Sequence, residues 1–456
     1  MDPDLQQFKN IFLIGIGGIG MSAIARYFNH AGKSVAGYDL HKTDLTQQLE
    51  KELITVFYSD DVNLIPKNFL NKSTIVVKTP AVPDDLQTVK IWEQYQVPVL
   101  RRSQMLSAIA GEHKVYAVAG THGKTTITTL LSHLLNQRDN GINSFMGGIS
   151  ANYRTNLLLS KDTNEMVVEA DEYDKAFLLL RPYSAIVTSI DPDHLDIYST
   201  HKNLISTFNK FINQIDREGI LIYKKDLPLV LPKNLKAYSY CIEGNNADIY
   251  PKNIVLNDGF YTFDLIYNNQ LFEKLRLGVS GLFNLENAVA ASAMAIFAGL
   301  EYDELKDGLA SFKGVERRFD VRYNEQEVYI DDYAHHPLEI TACLKSIRQI
   351  FPEKHITTIF QPHLYSRTRD LFYDFVKALS KADTAIITDI YAAREIDLGD
   401  VSAQQMADSI PNGIYIPRDE ILEYVEQNTM EILVTMGAGD IGDFAKSITQ
   451  IIKDRD

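Results

Sequence analysis

The stretch Val115-Tyr116-Ala117-Val118-Ala119-Gly120-Thr121-His122-Gly123-Lys124-Thr125-Thr126 passes from an apolar run, through two glycines, into the helix-like sequence Ile127 to Leu135. A strand that turns through glycines into a helix, with Lys and Thr at the turn, is built to hold phosphate. Backbone N–H groups wrap the oxygens, the helix start supplies positive potential, Lys124 reaches the outer phosphates and Thr125 offers a hydroxyl to Mg²⁺. Gly120, Thr121, His122, Gly123, Lys124, Thr125 and Thr126 therefore read as an ATP site in an α/β fold. The loop is shorter than the common G-x-x-x-x-G-K-[ST] form, because Val118 stands where the first glycine belongs. A tight turn with an incidental lysine is the weaker account, since Gly-Lys-Thr-Thr brings three phosphate-directed groups to one helix start.

Toward the N-terminus, strand and helix alternate: Ile11 to Ile14, a turn from Gly15 to Gly20, a helix from Met21 to Ala31, and a strand from Ser34 to Tyr38 ending at Asp39. Gly15, Gly17 and Gly20 satisfy G-x-G-x-x-G, and Asp39 lies near the offset at which an acidic residue meets a ribose. Alone, this suggests a nicotinamide-dependent oxidoreductase. The motif is weak by itself, however, and an oxidoreductase has no use for the second loop at Gly120 to Thr126. Two nucleotide sites favour a ligase or kinase. Strands at Ser73 to Thr79 and Val97 to Leu100 continue this part, a helix follows from Ser103 to Ala110, and Gly111 to His113 reads as a join.

Beyond the phosphate loop, strands are expected at Met166 to Glu169 and Ala185 to Ile190. The acidic clusters Glu169-Ala-Asp171-Glu172 and Asp191-Pro-Asp193-His194-Leu-Asp196 follow them, where open α/β sheets place ligands. Mg²⁺ prefers oxygen donors, so Thr125 and Glu169 suit it, with His194 a less usual ligand. Between Asp248 and Gly278 the texture turns β-rich, and the turn signals Asn257-Asp258-Gly259 and Asn268-Asn269 predict hairpins inserted in or appended to the ATP domain. A helix from about Asn284 to Phe297 carries Asn284 and Asn287 on one face, either as caps or as readers of adenine.

The last third alternates again, with strands at Val328 to Asp332, Thr357 to Phe360, Thr384 to Thr388 and Ile432 to Thr435. Its strand-end loops, Asp331-Asp332-Tyr333-Ala334-His335-His336-Pro337 and Gln361-Pro362-His363-Leu364-Tyr365-Ser366-Arg367-Thr368-Arg369, are rich in His, Arg and Tyr. Arginines there suit carboxylate or phosphate, the bland alternative being a surface ion-pair network.

A chain of 456 residues is expected to form two to four domains. Its net charge of -15 disfavours nucleic acid and anionic membrane surfaces as partners. Two distant cysteines suggest neither a disulfide framework nor a zinc site. No signal peptide or membrane-spanning run is read, so a soluble, cytoplasmic protein is expected.

Taken in order and spacing, these motifs, together with Val99-Leu-Arg-Arg102, Arg317-Arg318-Phe319 and Met436-Gly-Ala-Gly-Asp440, resemble the Mur ligases of peptidoglycan precursor synthesis, most of all the alanine-adding branch, over essentially the full length. The resemblance implies three domains: an N-terminal Rossmann-like domain for the UDP-sugar (1–110), a central P-loop ATPase-type α/β domain with a β-hairpin insert (111–314), and a C-terminal Rossmann-like domain for the amino acid (315–456). It implies ATP and Mg²⁺ as cofactors and UDP-N-acetylmuramate and L-alanine as substrates, joined through an acyl phosphate. Lys124, Glu169, His194 and Arg318 would be catalytic, with Thr125, Glu169 and His194 at the metal. Asn284, Asn287 and Asp332 would join the loop around ATP. Gly15, Gly17, Gly18, Ile19, Gly20, Asp39 and Thr79 would meet the UDP-sugar, and Tyr333, His335, His363 and Arg367 the amino acid. Three positions depart from the pattern: Leu364 for an arginine, Phe283 for a histidine, and Ala334 for a glycine. The rivals are a recycling ligase that attaches an intact tripeptide, a NAD-dependent oxidoreductase, and a non-catalytic nucleotide-binding module.

Overall fold

The computed structural model describes residues 5–193, 195–393 and 395–455. They divide into two compact units: the residues up to Lys252 with Leu265–Glu273 and Ala288–Leu309, and Asn253–Asp264 with Lys274–Asn287 and the residues from Ala310 on.

In the first unit, the sheet nearest the N-terminus is wholly parallel, in the order Thr55–Phe57, Ser34–Tyr38, Asn10–Ile14, Thr74–Lys78, Val99–Arg101. The apolar run around Ile11 is uninterrupted because a parallel strand is covered on both faces. Ile11 and Leu13 enter one core cluster while Phe12 and Ile14 enter another, where Phe12 lies 4.8 Å from the Trp92 ring. The cluster holding Ile11 and Leu13 continues through Val115, Ala117, Val168 and Val187, so the first two sheets share a core.

The second sheet runs Gln270–Arg276, Phe260–Tyr267, Ile249–Asn257, Lys236–Tyr240, Ile220–Lys224, Ser184–Val187, Lys114–Ala119, Glu165–Glu169, Asn143–Phe145, Leu157–Leu158. The expected hairpins are its first three strands, an extension of the sheet rather than a separate insert. Their turns have positive φ at both central residues, 49° and 81° at Asp258 and Gly259 and 48° and 66° at Asn268 and Asn269, as tight two-residue hairpins require. The helix Lys124–Leu135 follows Lys114–Ala119 and is buried from Thr125 onward.

Near that helix's end, His133 Nδ1 lies 2.9 Å from the Tyr153 hydroxyl, and burial lowers the imidazole to about 4. A histidine that stays neutral when folded, against an unfolded value near 6.5, contributes stability that is present above pH ~6.5 and lost as pH falls toward ~4. Chemical unfolding at pH 7 and pH 5 should show His133 alone removing about 2 kcal/mol. A His133→Gln variant should lose that part of the pH dependence, and an unchanged dependence would refute the assignment.

In the second unit the sheet order is Asp320–Asn324, Val328–Asp332, Ile432–Met436, Ile356–Phe360, Thr384–Ile387, Gly413–Tyr415, with only the first strand antiparallel to its neighbour. Alternate residues feed opposite faces: Ile330, Val434, Phe360 and Ile387 one core, Tyr329, Leu433, Ile359 and Ile386 the other. Among the described residues no helix is long and apolar enough to cross a membrane.

Candidate active site

The phosphate loop is braced by the neighbouring strand end. Ser184–Val187 stops short of its expected end at Ile190 because Thr188 and Ser189 turn to serve the loop. The Ser189 carbonyl accepts the Thr121 N–H at 3.1 Å, Ser189 Oγ accepts the His122 N–H at 2.9 Å, and the Thr188 hydroxyl donates to the His122 carbonyl. Gly120 has φ +138°, and a Cβ there would lie 1.9 Å from Thr188 Oγ1. With the Thr121 and His122 amides committed to Ser189, the amides of Lys124, Thr125 and Thr126, which open the helix and have no intrahelical acceptor, are among those placed to donate to an anion.

Lys124 Nζ donates to the Gly120 carbonyl at 2.6 Å and lies 2.8 and 2.9 Å from the two Glu172 carboxylate oxygens. Desolvation works against the ammonium, and the carboxylates of Glu172, Glu169 and Asp171 outweigh it, so Lys124 is held protonated. Burial pushes the Glu172 carboxyl up while Lys124 pulls it back. Glu172 is fully buried, and its own carbonyl accepts the Tyr198 hydroxyl at 2.6 Å. The acidic cluster was visible in the sequence, but nothing local singled out Glu172 as the partner of Lys124, 48 residues away.

Glu169 ends its strand, and Gly147 passes so close that a Cβ there would meet the Glu169 carboxylate at 2.0 Å. That glycine leaves room around an oxygen donor, and the buried Thr125 supplies a second, so the residues present fit Mg²⁺. His194 lies outside the described residues. Among the described residues no cluster of three or more His, Cys, Asp or Glu side chains forms a metal site by itself.

Glu169 and Asp171 line a cleft of about 290 Å³ together with Gly18, Ile19, Gly20, Thr79, Arg102 and Gly147. Arg102 reaches Asp171 at 2.9 Å. In the sequence it stands at the end of the motif Val99-Leu-Arg-Arg102, which by itself points to no role for it. The cleft's glycine wall is tied to the central sheet by Asn156, which donates to the Ile19 carbonyl and, at 3.0 Å, to Ser22 Oγ.

Asp39 is engaged within the protein: its carboxylate receives the Gly17 N–H at 2.7 Å and the His41 N–H at 3.2 Å. The amides of Gly15 and Ile16 go to the Tyr38 carbonyl and that of Gly18 to the Gly15 carbonyl. A dinucleotide fold needs the second glycine amide near the pyrophosphate and the acid on the ribose; here those two groups satisfy each other. Donors for a diphosphate remain at Ile19 and Gly20, the first residues of the helix Ile19–His30.

In the second unit, Tyr333, His335, His363 and Arg367 cluster at the carboxyl ends of Val328–Asp332 and Ile356–Phe360. Ring centroids of Tyr333 and His335 are 5.4 Å apart and those of His335 and His363 6.3 Å. Burial lowers both histidines, His363 to about 4 with His335 and Arg367 adding to the shift, so both imidazoles are neutral at pH 7. Arg318 and Arg317 lie over the Tyr333 ring at 4.6 and 5.1 Å. The turn that presents Arg318 is strained, with φ +61° at Arg317 and +49° at Phe319. Asp332 holds it: one carboxylate oxygen accepts the Phe319 N–H at 3.2 Å and the other the Ala334 N–H at 2.9 Å.

The Asn284 side chain donates to the Ser280 carbonyl at 2.7 Å, and Asn287 reaches Asn284 at 3.4 Å. Phe283 meets Phe319 edge-on at 5.5 Å, which is packing within the unit. Ala334 needs no left-handed backbone, whereas Leu364 adopts φ +70°.

Three family models cover the chain: Mur ligase family, catalytic domain, at residues 10–114; Mur ligase middle domain at 118–295; and Mur ligase, glutamate ligase domain, at 317–441. The chain is 44% identical to a UDP-N-acetylmuramate–L-alanine ligase of Porphyromonas gingivalis, with 98% of this chain and 99% of the relative aligned. To the ligase of the same name from Phocaeicola vulgatus it is 41% identical, at the same coverage. Among solved structures, a UDP-N-acetylmuramate-alanine ligase of Thermotoga maritima matches with TM-score 0.83 and 25% identity over 98% of this chain and 100% of that one. A murein peptide ligase of Psychrobacter arcticus shares the fold at TM-score 0.73 and 21% identity, over 97% of this chain and 98% of that one.

Proposed function

The chain belongs to the Mur ligase family, and from that premise we propose that it joins L-alanine to the lactyl carboxylate of UDP-N-acetylmuramate, converting ATP to ADP and phosphate. The carrying observation is that the glycine turn at Gly18 to Gly20 and the carboxylate of Glu169, beside the phosphate loop's own strand, line one cleft.

A carboxylate is a poor electrophile, and phosphorylation supplies a leaving group that an amine can displace. Lys124 carries positive charge to the transferring phosphoryl group, with the amides of Lys124, Thr125 and Thr126 holding its neighbours. Thr125 and Glu169 would hold Mg²⁺, which would supply positive charge against the nucleotide phosphates. In the second unit, Arg367 receives the amino-acid carboxylate, and the neutral imidazoles of His335 and His363 accept hydrogen bonds from its nitrogen. The assignments of Asn284, Asn287 and Asp332 to the nucleotide and of Arg318 to the phosphoryl group stay with this reading. Asp39 shapes the UDP-sugar turn through Gly17 rather than by touching a ribose. The roles of Gly15, Gly17 and Thr79 are likewise to shape that turn, Ile19 and Gly20 facing the diphosphate. ATP chemistry and a chain with only two cysteines, far apart in sequence at Cys241 and Cys343, suit the cytoplasm.

The deciding assay supplies MgATP and UDP-N-acetylmuramate with L-alanine, with tripeptide, or with NAD, and follows phosphate release and product mass. L-alanine should give phosphate and a product heavier by one alanine residue. Phosphate with the tripeptide and none with L-alanine would assign the chain to the recycling branch instead.

A further inference from the structure

Resting on the ligase reading above, we propose that Glu395 is a positioning residue for the amino-acid substrate, fixing the His363-to-Arg367 segment in the shape that presents both side chains to L-alanine. Within the segment the Leu364 carbonyl accepts the Thr368 N–H at 3.1 Å and the Thr368 hydroxyl at 2.7 Å, but these bonds start at Leu364 and leave its own turn unsupported. Leu364 sits at φ +70°, a conformation unfavourable for a branched apolar residue, so its turn persists only under outside support. The helix that follows, Tyr365–Asp370, receives no side-chain cap from Leu364.

That support comes from a segment about thirty residues further on. Tyr391 donates its N–H to the Pro362 carbonyl at 2.8 Å and accepts the Leu364 N–H at 2.9 Å, and its ring stacks on His363 with centroids 5.6 Å apart and planes 20° apart. Four positions later, the Glu395 carboxylate receives the Ser366 N–H at 2.9 Å and the Ser366 hydroxyl. It also takes the Tyr365 amide; burial raises the Glu395 carboxyl, but these bonds hold it below the ordinary range. An ionised acceptor on the first amides of a helix sets that helix's orientation. Arg367 is the next residue and His363 the third before Ser366, so loss of the Glu395 anchor displaces the guanidinium and the imidazole together.

The test uses the full chain, with wild type, Glu395→Ala, Glu395→Gln and Ser366→Ala, varying each of the three substrates in turn. Glu395→Ala is expected to raise KM for L-alanine about 10- to 100-fold, since it removes hydrogen bonds to a charged acceptor. KM for ATP and for UDP-N-acetylmuramate should stay within about twofold, the mark of a local effect. Glu395→Gln, which keeps an acceptor oxygen, should fall between, and adding Ser366→Ala to Glu395→Ala should cost nothing further because the two share one contact. A rise in all three KM values together, or an unchanged L-alanine KM in a variant that melts like wild type, overturns the proposal. Should Glu395→Ala fail to fold, the L-alanine KM of Glu395→Gln and Ser366→Ala decides on the same terms. Absence of phosphate release from wild type with L-alanine would instead overturn the ligase reading.

Discussion

Lys124→Ala is expected to lower turnover by about 10³-fold or more, the scale seen when a charge-stabilising donor is removed from a reacting centre. UDP-sugar binding, measured by calorimetry, should be nearly intact, because the lysine's ammonium bonds to Gly120, Thr121 and Glu172 and not to the helix start at Ile19 and Gly20. The substitution also has a structural cost that complicates a single-variant test. It strands the fully buried Glu172 carboxylate without its cation, and breaking a buried pair from one side costs roughly 3 kcal/mol or more. The double variant Lys124→Ala/Glu172→Gln should recover much of that stability in thermal unfolding and none of the turnover. Recovered turnover in the double variant, or joint loss of ATP and UDP-sugar affinity in the single one, would remove Lys124 from the proposed role.

The second large effect is expected at Gly120→Ala. The added methyl would sit 1.9 Å from Thr188 Oγ1 and 2.9 Å from the Ser189 backbone nitrogen, at a φ of +138° that side-chain-bearing residues rarely adopt. Overpacking and backbone strain together predict a loss of about 2–4 kcal/mol. The same displacement pulls Ser189 from the Thr121 and His122 amides, so KM for ATP should rise at least about tenfold. Combining Gly120→Ala with Thr188→Ala removes one clash and leaves the backbone strain and the Ser189 contact, so it should recover only part of the stability. A single variant that melts within about 1 °C of wild type would show that the loop tolerates a Cβ.

Most strands were legible because parallel strands covered on both faces leave unbroken apolar runs. Ser34–Tyr38 and Val328–Asp332 have the expected bounds. The misjudged ends have physical reasons. Ser184–Val187 ends early because Thr188 and Ser189 spend their polar groups on the loop. The antiparallel edge strand Asp320–Asn324 alternates polar and apolar residues too briefly to stand out. The candidate residues Lys124, Glu169, Tyr333 and His363 are legible in the sequence as chemistry-bearing types at strand-end loop positions. Spacing alone did not show what Asp39 does inside the fold, where its carboxylate accepts the Gly17 N–H. Spacing likewise hid Glu172 and Glu395, whose partners lie 48 and 29 residues away in sequence and meet them only once the sheets assemble.

The buried contact between Lys124 and Glu172 bears on how the catalytic cycle resets. An incoming nucleotide does not find the ammonium idle; it must draw the charge away from a carboxylate already 2.8 Å distant. A triphosphate, with its additional anionic group, is better able to do so than a diphosphate. If Lys124 serves the nucleotide as proposed, Glu172 would compete for the ammonium and reclaim it once the γ-phosphoryl group has gone, favouring release of spent nucleotide over its retention.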